Sequence, residues 1–350
     1  MKTLITTSAL ALTAGLAGSA ALAQVNLTIA TASPGSVVYT TTQHLASVAS
    51  QRGIASLQVA EGMTLTDTVL DVAEGRMDMS EAPMLLPFLL SRGMGPYSGN
   101  AANGAELASN LRALYPFNAG AFNIFAMSST GIDSWDDLEG RTIFNGPPRG
   151  AALTNARQAV ALAAGFEDGQ QYTGVQANWG QLTPMLTDGS VDAFVFPTTH
   201  PSERIIIMES AGDVNIVSVP RETFESEAFQ RIFQMPGNIP IVLNFSELGY
   251  DDHVHLVNSD DGMLRGMGTA FATVVHKDMP YQLAYDLTAA HIETIDELRA
   301  SSPTAAHAGH GIVDQVLSGF CGNNQLMYHP GAVAAWQDRG YDIPDCAEGQ

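Results

Sequence analysis

The sequence predicts an α/β protein of two lobes, each an open sheet flanked by helices, with hinge strands joining them. Three observations carry this. A strand–turn–helix unit recurs along the chain, the pattern of an open sheet that collects ligands at its strand carboxyl ends. The unit resets near residue 131, where a new capped helix and strand begin. The 350 residues are 45% hydrophobic and 15% charged, enough for two cores at roughly 100–150 residues per domain. The expected division is 24–124 with 266–350 in lobe 1 and 125–265 in lobe 2.

Residues 1–23 read as a cleavable signal peptide. Lys2 is the one early cation, an apolar stretch follows, and Ala21-Leu22-Ala23 is an A-x-A cleavage pattern before Gln24. The apolar part is shorter than the roughly 20 residues of a membrane span. No cysteine stands at the cleavage point to take a lipid. Export to the periplasm follows, with no stable membrane insertion.

The mature chain opens with Val25 to Ala30, which alternates as a strand. Ser33-Pro34-Gly35-Ser36 turns into a helix near Val37 that carries Leu45, Val48 and Ala49 on one face. Leu57 to Ala60 is a second strand, running into Glu61-Gly62-Met63. Thr64 followed by Asp67 marks a helix start, and Val69, Leu70, Val72 and Ala73 form its apolar stripe. Gly75 ends it and a third strand begins at Met77. Residues 93–104 are a loop, and Leu111 to Phe117 and Phe122 to Met127 read as two strands. Gly131 to Ile143 predicts a short capped helix and a strand, Ala151 to Ala164 a helix. Val191 to Phe196 reads as a buried strand, and Pro280 to Leu298 as one amphipathic helix.

Composition excludes several classes. Acidic residues outnumber basic ones 36 to 15, a formal charge of −21, so nucleic acid is not expected as a partner. Lysine occurs only at Lys2 and Lys277, the other bases being arginine. Drift of composition towards arginine is one explanation and adaptation to salt another. Cys321 and Cys346, the two cysteines, most simply form one bridge in an oxidising compartment; two buried free thiols are the alternative.

Four segments in order resemble a known family. Gly131 to Ile143 is similar to the helix–strand entry of type II periplasmic binding proteins, and Asp188-Gly189-Ser190-Val191-Asp192-Ala193 to one of their strands. Leu326-Met327-Tyr328-His329-Pro330-Gly331-Ala332 resembles the ending of the TAXI group of solute receptors for TRAP transporters. Ala32 to Tyr39 looks like a diverged form of that group's first loop. The loop Gly146-Pro147-Pro148-Arg149-Gly150-Ala151-Ala152 departs from the group: a hydroxyl pair is lost and Arg149 gained.

The resemblance implies a type II periplasmic binding fold and a solute-binding subunit. Its ligand would be a small polar organic molecule, an amino acid, dicarboxylate or keto acid such as glutamate or 2-oxoglutarate. The receptor would deliver it, as a monomer, to TRAP membrane permease subunits, with no cofactor and no metal. A secreted hydrolase or transferase on the same scaffold, or a receptor feeding a sensor kinase, stays open as an alternative. No G-x-S-x-G, G-x-x-x-x-G-K-[ST] or H-E-x-x-H signature is present.

Candidate ligand contacts follow from the loops that end strands and begin helices, where unpaired N–H groups suit a carboxylate. They are Ser33, Gly35, Ser36 and Tyr39 in the first; Gly62 and Met63 in the second; and Pro148, Arg149, Gly150 and Ala151 in the third. Thr198, Thr199 and His200 follow a strand end, and Glu81 occupies another, where it would suit an amine. Ordinary turn chemistry and solvated side chains are the alternatives at each. His307, His310 and Asp314 fall short of a metal set, His253 and His255 more so, and His329 reads as structural.

Salt adaptation makes a checkable claim. The melting temperature rises between about 0.05 and about 1 M NaCl as screening relieves carboxylate repulsion; a flat response in thermal denaturation assigns the composition to drift.

Overall fold

The computed structural model describes residues 24–321 and 326–347; the expected signal peptide, 1–23, lies outside the described residues. In the first lobe, β1 (Val25–Ala30) pairs in parallel with β2 (Ala55–Ala60) and β3 (Met79–Pro83). Helices α1 (Val37–Gln51) and α2 (Leu65–Ala73) connect them. Then α3 (Leu85–Arg92) and α4 (Gly104–Ser109) lead into β4 (Leu111–Met127).

The second lobe begins along β4. Strands β5 (Thr142–Phe144), β6 (Thr173–Val175) and β7 (Ala193–Thr198) are parallel. They alternate with α5 (Ala151–Ala164), α6 (Trp179–Asp188) and α7 (Glu203–Glu209). β8 (Val214–Val217), the short helices α8 (Arg221–Phe224) and α9 (Glu227–Ile232), β9 (Asn238–Asn244) and β10 (Val254–Val257) follow. β11 (Met263–His276) returns to the first lobe, where α10 (Tyr281–Glu293), α11 (Ile295–Ser301) and α12 (Pro330–Gln337) close the chain.

The strand order is β2-β1-β3-β11-β4-β7-β5-β6, with β9 on β11, β8 on β4 and β10 on β8. β4 and β11 are long antiparallel strands that belong to both lobes. The two-lobe α/β class expected from sequence is the class observed. The two strands expected at 111–117 and 122–127 are one strand of 17 residues. Asn118-Ala119-Gly120 looks like a turn in sequence, but Asn118 Oδ1 accepts the Gly120 N–H at 3.1 Å and keeps the chain in line. Gly120 has φ +85°, and a Cβ there would lie 1.8 Å from the Thr198 carbonyl, so no other residue fits.

Two other elements differ. The capped helix near 131 is a single turn at Asp136–Leu138, because Asp137 turns back to accept the N–H groups of Asp133 and Ser134. The helix expected over 280–298 breaks at Thr294, whose hydroxyl donates to the Ala290 carbonyl at 2.8 Å.

The first lobe has one core, around Ile29, Leu45, Val69, Leu114, Val274 and Trp336. The second has two, on opposite faces of its sheet: Ile124, Ile143, Val195 and Val217 face one way, Phe125, Phe144, Phe194 and Ile216 the other. Adjacent residues split between faces, as a two-residue period requires. Cys321 and Cys346 are bridged, with Cα atoms 5.8 Å apart. His329 caps α12, Nδ1 accepting the Gly331 N–H and Nε2 donating to the Met279 carbonyl.

Intact protein therefore offers no alkylatable thiol without reductant, which mass spectrometry checks. Cys321→Ser with Cys346→Ser lowers stability by about 3 kcal/mol, read by denaturant titration, and leaves ligand affinity unchanged.

Candidate functional site

Six strand carboxyl ends meet where the lobes face each other, around a cleft of about 550 Å³. Ser33 follows β1, Gly62 and Met63 follow β2, and Pro83 ends β3. From the other side come Pro147 after β5, Asn178 after β6, and Thr198 and Thr199 at the end of β7. This is the place where open parallel sheets collect ligands.

The same loops aim four helix N-termini at the cleft, those of α1, α2, α5 and α6. The Ser36 hydroxyl accepts the Tyr39 N–H and Asn178 forms a capping box with Gln181, so α1 and α6 are capped. Thr64 makes no side-chain cap on α2 and Gly150 has no side chain to cap α5. First-turn N–H groups and a partial positive charge there remain for a ligand. Gly150 has φ +105°, which favours glycine, and a Cβ would stand close to Thr66 Oγ1 of the facing lobe, at 3.0 Å.

Arg204, on α7, is the dominant charge. It is 6% exposed, held between the rings of Trp179 and Phe196 at 5.3 Å each. Its Nη2 reaches Ser33 Oγ at 3.4 Å across the cleft. Burial lowers its pKa to about 10, the Glu203 charge opposing, so it is protonated at neutral pH. Among the described residues no carboxylate forms an ion pair with it. Arg149 stands exposed on the cleft lining. Asn155, 2% exposed, also lines the cleft, and among the described residues its amide oxygen has no hydrogen-bond partner.

Of the residues expected from sequence, Ser33, Ser36, Gly62, Met63, Arg149, Gly150, Ala151, Thr198 and Thr199 line the cleft. Gly35, Tyr39, Pro148, Glu81 and His200 do not. Gly35 supplies the turn's positive φ of 78°, Tyr39 lies half-buried on α1, and Pro148 faces outward from its loop. Glu81 points into the first lobe's core, its carboxyl between the hydroxyls of Thr42 and Thr273 at 2.9 to 3.1 Å. Burial raises its pKa to about 8, so it is a neutral core group and no receptor for an amine. His200 is fully buried, Nδ1 2.7 Å from Tyr250 Oη.

Sequence reasoning missed Arg204, Trp179 and Asn155. Asn178 with Gln181 is a capping box that marks the start of α6 and with it Trp179. Nothing marked Arg204, since Ser202-Glu203-Arg204 reads as an ordinary charged helix start. His310 Nε2 lies 3.1 Å from Thr41 Oγ1 in the core. His253 and His255 pair with Asp213 on the surface. Among the described residues no three His, Cys, Asp or Glu side chains are grouped to hold a metal.

Fold and cleft define a two-lobe α/β protein with a ligand-sized, positively charged interlobe site. The chain belongs to the NMT1-like family, which it matches over residues 29–240. No curated protein matches it. Solved structures similar in part include the alkanesulfonate-binding protein SsuA from Xanthomonas axonopodis pv. citri bound to MOPS. That pair is 14% identical over 49% of this chain and 54% of that one, with a TM-score of 0.34. The ectoine-binding protein of a TRAP transporter from Halomonas elongata is 13% identical over 90% of each chain, TM-score 0.42. An extracytoplasmic solute receptor from Bordetella pertussis that binds pyroglutamic acid is 9% identical, covering 93% of this chain and 97% of that one, TM-score 0.44.

The buried groups fix a pH profile. Burial lowers the pKa of His200 and His310 to about 3 and that of His291 well below its usual value. These histidines contribute stability above pH 6.5 that is lost as pH falls towards 3. Glu81, raised from 4.5 to about 8, contributes stability below pH 4.5 that is lost as pH rises to about 8. Between 4.5 and 6.5 these three histidines, with His44 and His329 shifted the same way, oppose Glu81, so stability climbs; above 6.5 Glu81 pulls it down, together with His253, whose pKa Asp213 raises. The melting temperature therefore peaks near pH 6.5. Glu81→Gln removes the Glu81 part of the decline from 6.5 to 8; an unchanged slope in thermal denaturation refutes the assignment.

Proposed function

We propose that the chain is an exported solute-binding receptor that holds a small organic anion between its lobes. Arg204 carries this proposal. A buried guanidinium without an ion-pair partner costs stability through its desolvation, and a bound carboxylate supplies that partner through a bidentate fork. Four helix N-termini and Arg149 add to the same field.

The rigid bodies in this proposal are 24–124 with 266–350 against 125–265, hinged where β4 and β11 cross. Ligand bridges the lobes, and the closed form presents both docking surfaces to a membrane permease. The ordered motifs resembling TAXI receptors make that permease one of the TRAP type and the location the periplasm, reached by way of the signal sequence at 1–23. The receptor acts as a monomer.

A thermal-shift screen of monocarboxylates, keto acids and dicarboxylates, followed by calorimetry, tests it. One acid binds stoichiometrically and is recovered unchanged. Arg204→Met weakens it at least about hundredfold while holding or raising the melting temperature, because an unpaired buried charge has been removed. Arg149→Ala weakens it about tenfold. A lowered melting temperature with unchanged affinity makes Arg204 structural; consumption of the acid makes the protein a hydrolase or transferase.

A further inference from the structure

We propose that the solute is a monocarboxylate with an apolar body of aromatic size, bearing a hydroxyl and no ammonium group. This rests on the receptor function proposed above and narrows it to a ligand class. Three observations carry it.

The first is the absence of an interior anion on the lining. Among the described residues Glu61 is the one acid there, and it is exposed. Glu81, the fully buried acid, lies off the cleft with its carboxyl against Thr42 and Thr273. An ammonium desolvated in the cleft meets Arg204 and four positive helix ends, and the carboxylates beside them, Glu61 and Glu203, are exposed and screened by water. Repulsion and desolvation then act against it together. A neutral hydroxyl of the same size meets neither penalty.

The second is the wall. Val37, Leu65, Leu86, Phe122, Trp179 and Phe271 line the cleft, surfaces that favour an apolar body over a second carboxylate. The volume of about 550 Å³ falls within the range of roughly 300–1,000 Å³ typical of sites for whole organic ligands. A four- or five-carbon diacid leaves much of it unfilled. The cation left for its second carboxylate is Arg149, which is exposed and holds a charge poorly against water.

The third is Asn155, whose side chain is 2% exposed and whose amide oxygen accepts no hydrogen bond. An unmet acceptor in a closed site wants a donor from the ligand. A hydroxyl supplies one without a charge.

Calorimetry on the mature chain with 3-phenyllactate, phenylalanine, 2-oxoglutarate and glutamate decides the matter. Phenyllactate and phenylalanine share a skeleton and differ by hydroxyl against ammonium. Phenyllactate is expected to bind one per chain, more than about tenfold tighter than phenylalanine and tighter than either five-carbon diacid. Arg204→Met weakens it at least about hundredfold. Phenylalanine within tenfold, or 2-oxoglutarate or glutamate tighter than phenyllactate, each lost in Arg204→Met, overturns the ligand class and leaves the receptor standing. Binding of none of the four, or binding indifferent to Arg204→Met, overturns both.

Discussion

The chain crosses between the lobes only along β4 and β11, and their antiparallel pairing joins the two. Each runs from one lobe into the other, and together they hold the strands of both lobes in one continuous sheet. The register shifts at two places, between Gly268 and Ala270, where Gly120 opposite takes φ +85°, and between Thr273 and Val274. In the proposed closure the lobes hinge at Gly120 and at Gly268 to Ala270. The same place fixes the floor of the cleft. Because Gly120 has no Cβ, the end of β7 lies against β4 at the bend and sets Thr198 and Thr199 beside Ala119 on the lining. Parallel strands on either side then run towards one another, and their carboxyl ends and following helices converge on a single space.

Charge is distributed around that space against the average of the chain. With 36 acids to 15 bases, carboxylates are in excess and most arginines take one. Arg52 and Arg339 share Glu293, Arg157 takes Asp168, and Arg221 and Arg265 share Asp261. Among the described residues Arg92, Arg112, Arg149 and Arg204 take none, and the last two line the cleft. An anionic chain that leaves two arginines unpaired beside four helix N-termini has a focused positive site in a repulsive surround. The surround keeps protein from protein, and salt limits how far it repels a small anion.

The fold was legible to the extent that local pattern determined it. Ala151 to Ala164 reads from sequence as the helix it is, and β1, α1 and the turn at Ser33 to Ser36 follow from alternation, stripe and cap. β4 was not legible as one strand, because Asn118 and Gly120 carry a turn signal that contact with β7 and β11 overrides. Among site residues, those in strand-end loops were visible because their position alone implies convergence. Arg204 was invisible because its burial comes from Trp179 and Phe196, remote in sequence, while its neighbours Glu203 and Ile206 are exposed. Glu81 misled for the converse reason: a strand-end acid looks like a ligand contact until the pleat turns it inward, against α1 and β11.

The two buried ionisable groups that matter most, Glu81 and Arg204, are kept apart, and the site depends on it. A buried carboxylate and a buried guanidinium within reach of one another form a pair, and a paired Arg204 has nothing left for a ligand. Glu81 is instead enclosed in the first lobe and neutralised by protonation, while Arg204 in the second is shielded by aromatic faces. Those faces stabilise a cation without cancelling its charge. Arg204 meets the first lobe through Ser33, one long hydroxyl contact that replaces little of the hydration a guanidinium gives up. Separating the lobes would return water to it; bringing them together around an anion would return a counter-charge; bringing them together empty returns neither. On the proposed function, the differential affinity of an anion for the joined lobes is set by the desolvation of one side chain, which is the free-energy difference a ligand needs in order to favour one arrangement over the other.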